Sequence, residues 1–499
     1  MKKYIVTIVL FCSFWVVNAQ TVKIASTSYG TITEAITAAN NGDVIDITGV
    51  HTEPISISKS ITLRGTDPTT DIIQAAANPL SDGSGSRVIS LNEGNFNITI
   101  ENLGIKNGNV NGNGGGIFVD KVSGSVTLTN LIVENNYASS NGGAIGLSGT
   151  NATITSCIIQ NNTSTQDGGG ILAAPHNASA INSVIDIKQT LINNNTGRNG
   201  GALFINGNKD FGNDYTIDVN LENTTVSNNN ATSASGGNGG GAIFSASQPL
   251  TSNTSQGNVS LKLVHTTLVN NTHASLVKSG IQFGNAKVSN FSAYNSIIVA
   301  TDISDENDPN KDKKAINFAN SNTTDIVNCI LGGLQNIGSL TSLLDDTAKN
   351  NQRGKFPTFA GLTTLTDEGG NTQVFAFAEG SNADDFCTAT TGLSLPTVDQ
   401  RGYSREGTPD VGAFEFGGTL SLKNNSLYKV SIYPNPAQNI IKISGIDNIN
   451  TINIYSVLGK LEQRGKNSNS IDVSNLSKGI YILQIVKDSE TIEKKFIKI

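Results

Sequence analysis

Apolar and polar residues alternate along this chain in short runs, and the runs themselves recur. Each recurring unit is a period-two strand, an Asn pair, a loop of variable length, a glycine pair and an apolar residue. In order these are Ile105-Lys106-Asn107 with Gly114-Gly115; Val133-Glu134-Asn135-Asn136 with Gly142-Gly143; Ile159-Gln160-Asn161-Asn162 with Gly168-Gly169; Ile192-Asn193-Asn194-Asn195 with Gly200-Gly201; and Val226-Ser227-Asn228-Asn229 with Gly240-Gly241. A sixth, Leu268-Val269-Asn270-Asn271, has decayed to Ser279-Gly280. The glycine pairs step by 28, 26, 32 and 40 residues, and the variation falls in the loops.

Aligning the strand before each Asn pair gives columns. One inward column reads Ile98, Val126, Ala152, Ile185, Val219, Leu261, Phe291, and a second reads Ile100, Leu128, Ile154, Ile187, Leu221, Leu263, Ala293. Facing outward are Thr99, Thr127, Thr153, Asp186, Asn220, Lys262 and Ser292, then Glu101, Thr129, Thr155, Lys188, Glu222, Val264 and Tyr294. Alternation repeated in register predicts one buried and one wet face. With no helical period inside the units, the chain reads as an all-β solenoid whose strands pair with their counterparts in neighbouring coils. At about 4.8 Å per coil, roughly nine or ten coils make a rod about 45 Å long. The Asn pairs suit corners, where Asn tolerates left-handed backbone and stacked amides can form ladders. The glycine pairs supply positive φ or close backbone approach.

An open solenoid end would expose strand edges and core. Ile32, Ala35, Ile36 and Ala39 fall at helical spacing before Asn41-Gly42-Asp43, which predicts a short capping helix. Asp302 to Lys314 is dense in charge and reads as a solvated loop. From about Ser421 the glycine pairs vanish and seven short strands follow, which suggests a small Ig-like β-sandwich. The domain reading is therefore a rod over 20–418, a linker over 419–427 and a tail domain over 428–499.

The start changes the picture of where the protein works. Lys2 and Lys3 precede an apolar run from Ile5 to Val17, and Val17-Asn18-Ala19 places a cleavage site between Ala19 and Gln20. Residues 1–19 thus read as a secretory signal peptide, too short to span a bilayer, and no later stretch is apolar enough to do so. Beyond it lie three cysteines, Cys157, Cys329 and Cys387, an odd count that makes no disulfide framework. Composition is 37% apolar and only 15% charged, with 52 glycines. This is too uncharged for an ordinary disordered chain and too glycine-rich for a helical one. A formal charge of −7 with no basic patch argues against nucleic acid.

Three stretches resemble known families. The repeat, with its Asn pair and Gly-Gly-Ala-Ile, resembles the repeats of polymorphic outer-membrane proteins and the wider pectate-lyase-like superfamily, which implies a right-handed parallel β-helix. Residues 363–416 resemble the choice-of-anchor Q family, through Thr366-Asp367-Glu368-Gly369-Gly370-Asn371-Thr372, Gly380-Ser381-Asn382-Ala383-Asp384, Asp399-Gln400-Arg401-Gly402-Tyr403-Ser404-Arg405 and Asp410-Val411-Gly412-Ala413-Phe414-Glu415. Asn382 departs from that family's usual Pro. The tail resembles a type IX secretion sorting domain of type A. It carries Tyr433-Pro434-Asn435-Pro436, Ile454-Tyr455-Ser456-Val457-Leu458-Gly459-Lys460 and Leu476-Ser477-Lys478-Gly479-Ile480-Tyr481. The resemblance implies passage through the outer membrane by the type IX machinery, removal of the tail and attachment to surface lipopolysaccharide.

Chemistry is less legible. β-Helix lyases of the superfamily hold Ca²⁺ between clustered carboxylates beside a basic residue, and hydrolases pair two carboxylates. The catalytic candidates here are Asp186, Lys188 and Glu222, with Lys188 as base; the bland alternative is cross-strand ion pairing on a wet face. Thr127, Thr129, Thr153, Thr155, Asn220 and Lys262 form a candidate ligand-binding face. His51, His176, His265 and His273 lack metal-ligand spacing, and no metal site is expected, although Ca²⁺ remains an alternative. Asp120 and Asp167 read as turn residues, and Arg401 and Arg405 as partners of Asp399, Asp410 or Glu415 sealing the C-terminal end of the rod. Asp346-Thr347-Ala348 resembles a short bacterial O-glycosylation motif. The expectation is a surface protein that adheres to carbohydrate, matrix or host ligands without catalysis; the alternative is a secreted polysaccharide lyase or glycoside hydrolase.

Overall fold

The computed structural model describes residues 20–176, 182–207, 215–233, 239–246, 258–274, 280–284, 289–299, 314–318, 321–335, 337–355, 357–388, 393–419, 430–446, 449–456, 461–466, 468–487 and 490–499. Ala19, the charged loop after Asp302, most of the linker and Gly459 lie outside them. The chain divides into two compact units that meet in sequence between Leu420 and Ser421.

The first unit is a parallel β-helix. Its first sheet has twelve strands, of which Thr21–Ile24 and Thr27–Tyr29 are antiparallel, leaving ten in a parallel stack from Val44–Thr48 to Ser321–Val327. A second sheet of ten strands, from Val50–Thr52 to Ile330–Leu331, and a third of ten, from Ile55–Ile57 to Gly333–Gln335, run beside it, and six two-residue strands line one corner. Successive parallel strands of a sheet come from successive coils, a crossover whose favoured hand is right.

Register follows the sequence columns. Val126 pairs with Ile98 and Ala152, Ile185 with Ala152 and Val219, and Leu261 with Phe291. These side chains are buried. A full isoleucine or valine burial contributes roughly 1.5–3 kcal/mol, repeated at every coil. At the C-terminal coils phenylalanines fill the core, with Phe291 ring centroids 5.5 Å from Phe283 and 6.2 Å from Phe318.

The corners divide the work within each dipeptide. The first Asn of each pair is left-handed, at φ 57, 56, 54, 55 and 56° for Asn135, Asn161, Asn194, Asn228 and Asn270. The second is buried and forms a ladder. Nδ2 of Asn136, Asn162, Asn195 and Asn229 donates to Oδ1 of Asn162, Asn195, Asn229 and Asn271 at 3.0, 2.9, 2.9 and 2.9 Å. The glycine pairs divide likewise. Gly168 has φ 70°, whereas a Cβ on Gly169 would lie 2.5 Å from the carbonyl oxygen of Gly201.

Both ends of the rod are covered. Helix Ile32–Ala38 is capped by Thr31, whose hydroxyl accepts from Glu34 N at 3.1 Å, and buries Ile32, Ala35 and Ile36 on the first coil. At the other end helix Thr341–Leu344 buries Leu344 in the rod core, with Ile337, Leu340 and Leu343 packed beside it. The C-terminal seal expected from Arg401 and Arg405 is thus made by a different segment.

Residues 357–388 and 393–419 instead fold back along the side of the rod. Thr388 Oγ1 donates to Asn328 Oδ1 at 2.8 Å, Gly412 N to Asn295 O at 2.8 Å, and Ala413 N to Thr267 Oγ1 at 2.9 Å. Further along, Arg405 Nη2 donates to Asn223 Oδ1 at 3.0 Å, and Gln189 Nε2 to Asp399 O at 3.2 Å. The flap roofs an apolar outer face of the second sheet, where Val269, Ile297, Val299 and Ile330 meet Phe375, Val411 and Phe414. Its Leu393 and Leu395 also pack on Val264, Tyr294 and Val327. Val264 and Tyr294, expected to face water, are buried for that reason.

The second unit has a three-stranded sheet, Ser431–Tyr433, Ile440–Ser444 and Ser470–Asp472, and a four-stranded one, Leu461–Lys466, Thr451–Ser456, Gly479–Lys487 and Glu490–Lys498, both antiparallel. Ile441, Ile454, Ile471, Leu483 and Phe496 share one core between the sheets.

Candidate functional site

On the first sheet, Thr127, Thr129, Thr153, Thr155, Asn220 and Lys262 take the outward positions that alternation assigns, each half-buried. Asp186 pairs in register with Asn220, whose Nδ2 donates to Asp186 Oδ1 at 2.9 Å. Lys188 and Glu222 are register partners, but no ion pair joins them among the described residues. Asp218, which the sequence reading passed over, shares this face, and burial raises its carboxyl above the usual range. Lys262 Nζ sits 5.8 Å from the Tyr294 ring centroid, a cation–π contact that satisfies it locally. Among the described residues, no three His, Cys, Asp or Glu side chains gather as a metal would need. Calcium takes six to eight oxygens, and Asp186 with Glu222 does not approach that set.

The third sheet carries the better-formed site. Its outward column runs Phe118, Gly146, Leu172, Phe204, Phe244, register partners coil by coil. Four of these five are large and apolar, so the strand after each glycine pair is apolar on both faces. Phe204 and Phe244 stack at 5.6 Å. Phe118 lies beside Gly146, where a Cβ would come within 2.7 Å of Phe118 Cδ2. Arg87 Cζ stands 4.7 Å from the Phe118 ring centroid.

Above this column opens a cleft of about 390 Å³. It is lined by the half-buried Phe118 and the buried Leu172, Ala174 and Pro175, together with Asn113, Asn141, Ser148, Asn206, Asp120 and His176. Asp120 and Ser148 are register partners on adjacent coils. His176 Nε2 lies 3.5 Å from Asp120 Oδ1. Asn141 N and Nδ2 donate to Asn113 Oδ1 at 2.9 and 3.2 Å, and Asp167 N donates to Asn141 Oδ1 at 2.9 Å. Asp167 is held by Arg198 Nε at 3.0 Å and Asn199 Nδ2 at 2.8 Å. The turn role expected for Asp167 is thus that of a rung in a second ladder, while Asp120 opens onto the cleft. A half-buried aromatic ring among amide, hydroxyl and carboxylate groups can bind a ligand having an apolar face and hydroxyl edges.

The remaining titratable groups are structural. Burial pushes the thiols of Cys157 and Cys329 up to about 12, and that of Cys387 well above its usual value, so all three are inert packing groups. His265, buried and beside the Arg405 guanidinium, is held neutral. Arg401 pairs with Asp399 at 2.7 Å and Arg405 with Glu415 at 2.9 Å, inside the flap.

In the tail, Asn435 is tied to the last strand: its Nδ2 donates to Lys495 O at 3.1 Å and its Oδ1 accepts from Ile497 N at 3.0 Å. Tyr433 ends one strand with its side chain exposed, Pro434 and Pro436 flank Asn435, and Gly479 opens the long strand that pairs with the last. Residues 431–499 match the model of the secretion system C-terminal sorting domain. The tail is a sorting domain. It directs export by the type IX route through the outer membrane, to the cell surface or the extracellular space. Residues 156–174 match the Chlamydia polymorphic membrane protein repeat, and that stretch is one rung of the rod with its Asn pair and glycine pair. No curated protein matches the chain. Among solved structures, a pectin methylesterase from carrot is similar at 12% identity and TM-score 0.31, over 54% of this chain and 79% of that one. A pectate lyase, Pel9A, is similar at 13% identity and TM-score 0.32, over 77% and 90%. No helix among the described residues is long and apolar enough to cross a membrane.

Proposed function

We propose that this protein is a surface-displayed glycan-binding rod that adheres without catalysis, held on the cell by lipopolysaccharide attachment after the sorting tail has acted. The observation that carries the reading is the third-sheet cleft, where the half-buried Phe118 ring lies among amide, hydroxyl and carboxylate groups. A sugar ring has one C–H face for such an aromatic and a rim of hydroxyls for such polar groups. Catalysis has less support. Among the described residues, Asp120 is the one carboxylate lining the cleft, and paired carboxylates about 5–10 Å apart are what glycoside hydrolysis uses. On the first sheet, Lys188 faces no group of carboxylates among the described residues that would hold a calcium ion.

The test is a glycan array probed with the chain from Gln20 to Ile499, followed by incubation of the best ligands with the same protein. Binding without unsaturated products or new reducing ends is expected. Turnover abolished by Asp186→Ala or Lys188→Ala would contradict the reading and restore the enzyme alternative.

A further inference from the structure

Resting on the glycan reading, we infer that the third-sheet cleft takes a neutral sugar, presenting a vicinal diol to Asp120, and turns away uronates. Among the described lining residues, Asp120 is the one acidic or basic group apart from His176, and its side chain is 42% exposed. The guanidinium over the Phe118 ring is already committed. Arg87 Nε donates to Gly114 O at 2.7 Å, Nη2 to Asn113 O at 2.6 Å and Nη1 to Ser90 Oγ at 3.2 Å, with Phe118 under its plane. Lys121, next to Asp120 in the chain, is paired with Glu93.

A sugar carboxylate is recognised by a guanidinium or ammonium group free to form a charge-assisted bond. Here it would meet the Asp120 carboxylate instead. The adjacent hydroxyls of a neutral sugar are two donors, matching the two oxygens of a carboxylate that is acceptor-only when ionised. His176, 3.5 Å from Oδ1, fixes where that carboxylate stands. Specificity of this kind comes from the repulsive element as much as from the attractive one.

Isothermal titration calorimetry of the chain from Gln20 to Ile499, with neutral and uronate oligosaccharides of equal length, decides the matter. Neutral oligomers are expected to bind about tenfold or more tightly than uronates, with little dependence on salt. Asp120→Asn should weaken the neutral ligand and strengthen the uronate, collapsing the ratio, while Phe118→Ala weakens both. Uronates binding as tightly as neutral sugars, or a ratio unmoved by Asp120→Asn, would overturn the neutral assignment and leave glycan binding standing. Failure of every oligosaccharide to bind would remove the glycan reading itself. Should Asp120→Asn lower the melting temperature, the ratio measured on the unaltered protein decides alone.

Discussion

Asn194 and Asn195 are adjacent in the sequence and carry different loads. Asn194 bends the corner at φ 54°, a conformation Asn tolerates and Gly adopts at no steric cost. Asn195 is buried, donates to Asn229 Oδ1 and to the carbonyls of Ile159 and Asn193, and accepts from both nitrogens of Asn162. Removing its amide strands the buried Asn162 N, at about 1–3 kcal/mol, while Asn162 Nδ2 keeps the carbonyls of Val133 and Gln160. Asn195→Ala is therefore expected to lower unfolding free energy by about 2 kcal/mol. Asn194→Gly should shift it by under about 0.5 kcal/mol. Urea denaturation monitored by circular dichroism compares the two, and equal losses would mean the ladder is not what holds the corner. The pairs were visible in the sequence as corners and ladders. Which member turns and which stacks depends on backbone angles, and no difference in residue type records that.

At the scale of elements, the flap is what composition and periodicity could not place. Its contacts reach back 60 to 210 residues, as in Thr388 to Asn328 and Asp399 to Gln189, and it has no repeat of its own to align. The Arg401–Asp399 and Arg405–Glu415 pairs were foreseeable from charge, but their position on the flank was not. The flap also holds a pH-sensitive group. Burial, with Glu415 and Asp384 adding repulsion, pushes the Asp410 carboxyl up to about 7, while its acceptor bonds from Phe416 N and Asp385 N pull the other way. Arg405, Arg401, Asp399, Cys387 and neutral His265 complete the charged and titratable surroundings. A carboxyl raised in the folded state stabilises fully below its ordinary value near 4, and that contribution is lost as pH climbs through about 7. The flap should therefore become easier to digest by limited proteolysis between pH 6 and pH 8. Asp410→Asn should flatten that trend; an unchanged trend in the variant would assign the pH dependence elsewhere.

Taken whole, the molecule is a rod of stacked coils followed by an export tail, and both parts were legible because each rests on recurring or contiguous residues. The first-sheet columns appeared in register since their alternation is strict, as in Val126-Thr127-Leu128-Thr129. The third-sheet cleft is hard to read because its strands do not alternate: Gly143-Ala144-Ile145-Gly146 and Gly201-Ala202-Leu203-Phe204 read as plain apolar runs, although the aromatics three residues past the glycine pairs are a usable signal. Two faces thus compete for the ligand, the polar first sheet with Asp186 and Lys188 and the third sheet with Phe118 and Asp120. A crystal structure of the chain from Gln20 to Ile499 soaked with its best array ligand separates them directly. The expected density is a sugar ring against Phe118 with two hydroxyls on Asp120, while a sugar seated along Thr127, Thr153 and Asp186, with the third-sheet cleft holding only solvent, would contradict it.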